Sequence, residues 1–183
     1  MALIQNIDWT ILQWIHTALQ CPFLDFLMPK ISMLGDVGAV WLIAGAGLLF
    51  TKYKRYGIMI IIGIFLGFLI GNLGLKPLVG RLRPCWQDTS FPMIVQKEYD
   101  FSFPSGHALA SFIAATILTI ANRKFGIVAI PLAVLIAFSR MYLYLHFPSD
   151  IIGSFILSIL IVCMVTSGYK YIYGNLWYKN KAV

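Results

Sequence analysis

The residues best suited to chemistry lie in one polar stretch between two apolar segments, residues 139–150, with the sequence SRMYLYLHFPSD. A titratable side chain at the edge of a membrane span is costly to place there, and it therefore marks a candidate functional site. His146 and Asp150 are four residues apart, a spacing that puts two side chains on one face of a helix. Pro148 suits the first turn of a helix, where no backbone N–H is needed. The spacing predicts a helix that begins near Phe147, with Asp150 placed to hydrogen-bond the His146 imidazole.

On its own this stretch could be a solvated polar loop, but two further polar clusters lie beside apolar runs. Residues 76–84 read KPLVGRLRP, and residues 103–107 read FPSGH. The polar, cationic and small residues that they add are Lys76, Arg83, Ser105, Gly106 and His107. Ser105 is a favourable N-cap, so the helix after it would begin with free backbone N–H groups that attract anions.

Together the three clusters contain what a phosphoryl-transfer site needs. Such catalysis is mostly positioning and electrostatic stabilisation of the phosphate oxygens, and arginine side chains bind phosphate in bidentate fashion. One histidine can be the nucleophile and the other the general acid. A carboxylate beside the nucleophile would fix its tautomer and stabilise the cation formed on attack. The sequence has no carboxylate cluster suited to Mg²⁺, so we expect neither a metal nor another cofactor.

Composition indicates which elements position these residues. Of the 183 residues, 60% are hydrophobic and 11% are charged, whereas a soluble domain has about 25% charged residues. We therefore expect an all-α fold, a polytopic bundle of membrane helices forming a single domain over residues 1–183 with its motif core at 76–150.

Long uncharged runs predict the membrane spans. The runs cover residues 37–50, 57–75, 107–121, 125–138 and 151–169. The second is long enough to cross a hydrocarbon core of ~30 Å at 1.5 Å per residue. Residues 1–34 contain Pro22, Pro29 and several polar residues, and they predict either an interfacial helix or a kinked first span. Counting this segment as a span gives six transmembrane helices.

The net charge of +7 is distributed unevenly along the chain. Along the chain, every second loop between the apolar runs contains basic residues and no acidic ones. The acidic residues of the loops all lie in the remaining ones. This is the positive-inside pattern. It predicts a plasma or inner membrane protein with cytoplasmic termini and with the motif clusters at the outer-leaflet ends of the helices. The basic charge is thus explained by orientation and by contact with anionic membrane lipids, and we expect no nucleic-acid partner.

Other polar residues receive structural interpretations. Arg81 is interpreted as a headgroup or surface contact. Residues 85–103 form a loop long enough to suggest a function. The acidic residues of this loop are Asp88, Glu98 and Asp100. We interpret them as a solvated face of the loop; the alternative is that they help to repel or position the substrate. Cys21 and Cys85 could both face the oxidising outer side, which permits a disulfide. We favour two free thiols, with the disulfide as the alternative.

The three clusters resemble the signature motifs of the phosphatidic acid phosphatase type 2 family. The matching residues, in the expected order and without a departure, are Lys76-x6-Arg83-Pro84, Pro104-Ser105-Gly106-His107 and Ser139-Arg140-x5-His146-x3-Asp150. The resemblance implies that His146 attacks phosphorus to form a phosphohistidine and that Asp150 orients it. His107 would protonate the leaving oxygen and later activate water. The implied phosphate-binding residues are Lys76, Arg83, Ser105, Gly106 and Arg140, and the implied enzyme is metal-independent.

The resemblance predicts a lipid phosphatase at the membrane–water boundary. Undecaprenyl diphosphate, converted to the monophosphate, is the favoured substrate. Phosphatidylglycerol phosphate, phosphatidate and the phosphates of lipid A are the alternatives, because the motifs bind phosphate and not the lipid. A vanadium haloperoxidase, whose vanadate pocket resembles the family's site, is disfavoured by membrane burial. A lipid transporter or scaffold is disfavoured by the complete set of nucleophile, acid and phosphate-binding residues.

Overall fold

The computed structural model describes residues 2–181, with side chains described for residues 3–172. All regular secondary structure in this part of the chain is helical, as the composition predicts. The α-helices are α1 (Ala2–Leu19), α2 (Pro22–Leu34), α3 (Ala39–Leu48), α4 (Lys54–Gly67), α5 (Lys76–Val79), α6 (Pro84–Gln87), α7 (Gly106–Ala121), α8 (Arg123–Tyr142) and α9 (Pro148–Lys181). A 3₁₀ turn (Asp36–Gly38) joins α2 to α3, and a π-helical segment (Phe68–Leu75) joins α4 to α5.

Three helical stretches among the described residues are long and apolar enough to cross a membrane. They are Lys54–Gln87, Arg123–Tyr142 and Pro148–Ile172. Pro22–Leu34 and Asp36–Leu48 together make a fourth if this pair, bent by 45°, is one span. The apolar helix α7 has only 16 residues. The all-α membrane fold is therefore confirmed, whereas the number of six spans stays a prediction.

Helix α7 is the centre of the bundle, since it packs against α4, α8 and α9. Glycines in α4 and in the π-helical segment after it let this part of the chain pack closely against α7. A Cβ atom added at Gly63 would lie 2.8 Å from Ile113 Cγ2, and one added at Gly71 would lie 2.8 Å from Leu109 Cδ2. Small residues four apart let two helices approach closely, so the glycine repeat serves packing.

Helices α1 and α2 account for the segment that the sequence left ambiguous. Their buried residues Leu12, Ile15 and Met28 form an apolar cluster with the loop between α8 and α9, residues 143–147. The Trp9 ring meets the Phe147 ring edge-on at a centroid distance of 5.0 Å. Because this loop carries His146, the N-terminal helices hold the third motif in place.

Candidate active site

The three motifs are numbered in chain order. Two helix starts position the second motif, residues 104–107, and the third motif, residues 139–150. Helix α9 begins at Pro148, one residue after the predicted start, and α7 begins at Gly106. Ser105 caps α7 as predicted, since its Oγ accepts a hydrogen bond from the Ala108 N–H at 3.5 Å. Its own N–H donates to Ser154 Oγ at 2.9 Å, and Ser154 Oγ donates to the Asp150 carbonyl at 2.7 Å. The first turns of the two helices are thereby tied together.

His146 lies between a cation and a carboxylate, and only 1% of the residue is exposed. Its Nε2 is 3.0 Å from Arg83 Nη1, and its Nδ1 is 3.6 Å from Asp150 Oδ2. A guanidinium group can only donate, so Nε2 is the acceptor and the proton resides on Nδ1. Burial, and then the charges of Arg83 and Arg140, hold the pKa of His146 well below its usual range. The imidazole is therefore neutral with a lone pair on Nε2, which is the nucleophilic form.

Asp150 is completely buried and accepts hydrogen bonds on both carboxylate oxygens. Its Oδ2 accepts from the Phe147 N–H at 2.9 Å and from Ser102 Oγ at 2.5 Å, and Oδ1 accepts from Arg81 Nη1 at 2.5 Å. The predicted direct hydrogen bond to His146 is not made, because the two atoms are 3.6 Å apart, beyond hydrogen-bond distance. Ser102 Oγ, 3.5 Å from His146 Nδ1, instead contacts both groups. Nothing in the sequence distinguished Ser102 from other loop serines.

The cations of the first and third motifs meet the acidic loop, defined as residues 88–105 between α6 and α7. Arg83 Nη2 is 2.5 Å from both Glu98 Oε2 and Asp100 Oδ1. Glu98 also pairs with Arg140, and Asp100 also pairs with Lys76. The interpretation of these two carboxylates as a solvated face is therefore incomplete. Half of the Asp100 side chain is exposed, but both carboxylates pair with buried cations of the candidate site. The three cations are buried and therefore need counter-charges, which this loop supplies.

The same contacts determine the ionisation of the two loop carboxylates. Burial raises the pKa of Glu98, but the charges of Arg140 and Arg83 outweigh it and lower that pKa to about 2. Burial likewise opposes ionisation of Asp100, whose pKa the Lys76 hydrogen bond and the Arg83 charge lower to about 2. Both carboxylates are thus anionic at neutral pH, and they contact the cations as phosphate oxygens would.

His107, the second predicted histidine, hydrogen-bonds a residue that the sequence did not suggest. Its Nε2 lies 2.8 Å from Asp36 Oδ1 in the 3₁₀ turn. The backbone of Gly35 passes close to the ring, since a Cβ atom added there would lie 2.8 Å from His107 Cδ2. Next to His107, a Cβ atom added at Gly106 would lie 3.0 Å from Asn72 Oδ1. In the sequence, the position of an acidic residue between two apolar runs was the only indication that Asp36 contacts the site.

The predicted role of Arg81 as a headgroup or surface contact is wrong. Its guanidinium is 2.5 Å from Asp8 Oδ2 and 2.5 Å from Asp150 Oδ1. Both carboxylates are buried, and a buried carboxylate requires a cationic or hydrogen-bonding partner. Arg81 therefore belongs to the surroundings of the candidate site.

Histidine, cysteine and acidic side chains do not converge on a metal-type arrangement in the part of the chain with described side chains. No group of three or more such residues there is placed to hold a metal ion. Cys21 and Cys85 are free thiols.

Two relatives resemble the chain over most of its length. Undecaprenyl-diphosphatase of Sulfolobus acidocaldarius is 32% identical over 140 residues, which are 75% of this chain and 67% of that protein. Phosphatidylglycerophosphatase B of Bacillus subtilis is 31% identical over 158 residues, which are 79% of this chain and 74% of that protein. Both are named as phosphatases of phosphorylated lipids.

The fold and the sequence also match a solved structure and a family. The crystal structure of a transmembrane PAP2 type phosphatidylglycerolphosphate phosphatase from Bacillus subtilis superposes with a TM-score of 0.75 and 27% identity. The match covers 94% of this chain and 89% of that one. Residues 38–173, which include all three motifs, match the PAP2 superfamily. The chain therefore belongs to the PAP2 superfamily of membrane phosphatases.

Proposed function

We propose that this protein hydrolyses a phosphorylated lipid through a phosphohistidine on His146, without a metal. The observation that carries the proposal is the buried, neutral His146 imidazole, with Nε2 at the guanidinium of Arg83 and Nδ1 facing Asp150. This arrangement combines a nucleophile, a phosphate-binding cation and a carboxylate that stabilises the charge formed on attack.

The phosphate-binding set consists of the three cations and the start of α7. Phosphate oxygens replace the loop carboxylates on Lys76, Arg83 and Arg140, and the N–H groups at Ser105 and Gly106 add anion affinity. Since the charge of the transition state is spread over these oxygens, the cations supply most of the stabilisation.

The reaction then has two steps. In the first, His146 Nε2 forms a bond to phosphorus, the bond to the leaving oxygen breaks, and His107 gives that oxygen a proton. Asp150 balances the positive charge on the phosphorylated imidazole. In the second, His107 takes a proton from water, the water oxygen bonds to phosphorus, and the phosphorus–nitrogen bond breaks to release phosphate and free His146.

We favour undecaprenyl diphosphate as the substrate. The sequence likeness to the undecaprenyl-diphosphatase of Sulfolobus acidocaldarius supports this choice. Phosphatidylglycerol phosphate is the second candidate, and the structural likeness to the Bacillus subtilis phosphatase supports it. The positive-inside distribution of basic residues supports an outward-facing site with both termini in the cytoplasm.

Phosphate release by the purified protein in detergent tests the proposal. The panel compares undecaprenyl diphosphate, phosphatidylglycerol phosphate, phosphatidate and lipid A, each with and without EDTA. We expect release that EDTA does not affect, and fastest turnover of the diphosphate. His146→Ala should abolish release and should no longer form the acid-labile, alkali-stable phosphoprotein typical of phosphohistidine.

Arg55→Ala is the matched control, because Arg55 is exposed and its side chain contacts the neighbouring Tyr56, which belongs to none of the three motifs. It should retain full activity. Substantial activity in His146→Ala would refute the phosphohistidine step, and activity that requires added Mg²⁺ would refute the metal-free mechanism. If no lipid in the panel releases phosphate, a transporter or scaffold becomes the better explanation.

A further inference from the structure

A charge network lies on the side of Asp150 away from His146, and the two reaction steps above do not use it. It joins the loop after α5 to α1 and to the first turn of α9, and its members are Gln5, Asp8, Arg81 and Ser149. Arg81 lies at its centre.

The first effect of Arg81 is on the orientation of Asp150. Arg81 Nη1 binds Asp150 Oδ1, while Oδ2 is bound by Ser102 and by the Phe147 N–H. With both oxygens held from opposite sides, the carboxylate plane cannot rotate, and Oδ2 stays on the side of His146. The Arg81 carbonyl also accepts a hydrogen bond from the Ser102 N–H at 2.8 Å. Arg81 thus positions both polar groups that contact His146 Nδ1.

Arg81 is itself held from several sides. Its Nη2 donates to Asp8 Oδ2 at 2.5 Å and to Gln5 Oε1 at 2.9 Å, and Nη1 donates to Ser149 Oγ at 2.7 Å. The guanidinium carbon lies 4.2 Å from the centre of the Phe147 ring. A planar group with several donors suits such a site, whereas lysine offers a single charged atom.

Asp8 provides the counter-charge and reaches the same helix as Asp150. Only 1% of Asp8 is exposed. Its Oδ1 accepts from the Ser149 N–H at 2.9 Å, and its Oδ2 accepts from Ser149 Oγ at 2.5 Å. A carboxylate at the N-terminus of a helix is stabilised by the free N–H groups there. Asp8 and Asp150 therefore both bind the first turn of α9, and Arg81 bridges them.

The second effect of Arg81 is on charge. Two buried carboxylates and one guanidinium have a net charge of −1, which the positive imidazole formed during the reaction would balance. Without Arg81, Asp8 and Asp150 would be two buried anions without a shared cation, which is a costly arrangement.

We propose that Arg81 is a positioning residue of the phosphatase reaction, which holds Asp150 oriented toward His146 with Asp8 as its own counter-ion. This inference rests on the proposed phosphohistidine mechanism. If the unaltered protein releases no phosphate from any lipid, the proposed function fails. If the unaltered protein is active and Arg81 has no effect on turnover, only the role of Arg81 fails.

The test compares Arg81→Ala with the double variant Arg81→Ala/Asp8→Asn, by kcat, KM and melting temperature. In Arg81→Ala we expect kcat to fall by about 10- to 100-fold, since a displacement of about 1 Å in a reacting group can cost about 10²-fold. KM should stay within about threefold, because the phosphate-binding cations are intact. The melting temperature should fall, because Asp8 is left buried without a cation, with only the Ser149 hydrogen bonds. Single-turnover labelling of His146 should slow by the same factor as kcat.

The double variant separates positioning from stability. The Asp8→Asn substitution removes the unpaired charge, so the melting temperature should recover while kcat stays low. Recovery of kcat together with stability would show that Arg81 only stabilises the fold, and it would overturn the proposal. Arg55→Ala serves again as the control arginine.

If neither alanine variant folds, Arg81→Lys tests the proposal. Lysine keeps the charge but lacks the planar guanidinium that holds both carboxylates in one fixed geometry. A folded Arg81→Lys protein should therefore have a reduced kcat at unchanged KM. A kcat equal to that of the unaltered protein would overturn the proposal.

Discussion

At the scale of single residues, the ionisation of His146 has a measurable effect on stability. Because the pKa of His146 is well below its usual range in the folded protein, the unfolded chain binds a proton more readily as the pH falls through about 6.5. This contribution to stability is complete above that pH and is lost progressively below it. Glu98 and Asp100, with pKa values of about 2, lose their contribution only as the pH falls below their ordinary values of 4.5 and 3.8.

We therefore predict that the melting temperature in detergent falls between about pH 6.5 and 4.5, before the loop carboxylates titrate. The same decline should be shallower in His146→Gln, which cannot titrate. The difference between the two melting-temperature curves gives the contribution of His146 alone, because the other histidines are present in both proteins. Parallel declines would contradict a depressed pKa at His146.

Ser102 provides a second prediction at this scale. Its hydroxyl donates to Asp150 Oδ2 at 2.5 Å, and a hydrogen bond to a charged group contributes about 1.5–3 kcal/mol. Ser102→Ala should lower kcat by about tenfold, since part of that energy supports the reaction, with KM unchanged. Ser90→Ala is the matched control, because the Ser90 hydroxyl is in the same loop and donates to Asp88 instead. An unchanged kcat in Ser102→Ala would mean that the hydroxyl only satisfies the buried carboxylate.

At the scale of elements, the acidic loop occupies the cations that we propose bind the substrate phosphate. Glu98 and Asp100 already bind Lys76, Arg83 and Arg140, so an incoming phosphate must displace them. Removing the loop charge should therefore strengthen phosphate binding and, at the same time, destabilise the protein, because the buried cations lose their partners.

We predict that Glu98→Gln lowers the inhibition constant of inorganic phosphate by roughly tenfold, an effect of about 1.4 kcal/mol that is typical of a bond to a charged group. The melting temperature should fall. Asp88→Asn is the control, because the Asp88 carboxylate accepts hydrogen bonds from Tyr144 and Ser90 rather than from the three cations. Weaker phosphate binding in Glu98→Gln would show that the carboxylate helps to hold the substrate instead.

Sequence analysis predicted the features that local pattern determines. The Ser105 cap and the start of α9 depend on residues within one helical turn, and their types indicated them. The partners of Arg81 and Arg83 could not be predicted in this way. Arg81 binds an aspartate 73 residues away, and Asp100 contacts Arg83 only because the acidic loop folds back over it. Such pairings depend on the tertiary fold, which local spacing does not indicate.

At the scale of the whole molecule, the approach of α4 to α7 limits what the bundle tolerates. An added Cβ at Gly63 would lie 2.8 Å from Ile113, whereas none of the described atoms around Gly47 in α3 lies within 4 Å of an added Cβ. Overpacking a tight contact costs typically about 1–3 kcal/mol.

We predict that Gly63→Ala lowers the melting temperature by several degrees, roughly the effect of 1 kcal/mol. Gly47→Ala should have no such effect, and it should be neutral or stabilising because alanine favours the helix. Equal melting temperatures for the two variants would contradict the close packing of α4 on α7.

Glu98 and Asp100 already pair with the cations of the candidate site. This pairing also affects which membrane lipids can compete for the site. A bulk phospholipid has a phosphodiester headgroup with one negative charge on phosphate, which is too little to replace two carboxylates. A phosphate monoester or a diphosphate has about twice that charge near neutral pH, so it can replace them without leaving a cation unpaired. We expect the abundant lipids of the surrounding bilayer to be weak competitors, so that a scarce phosphorylated lipid reaches His146 against a large excess of ordinary headgroups.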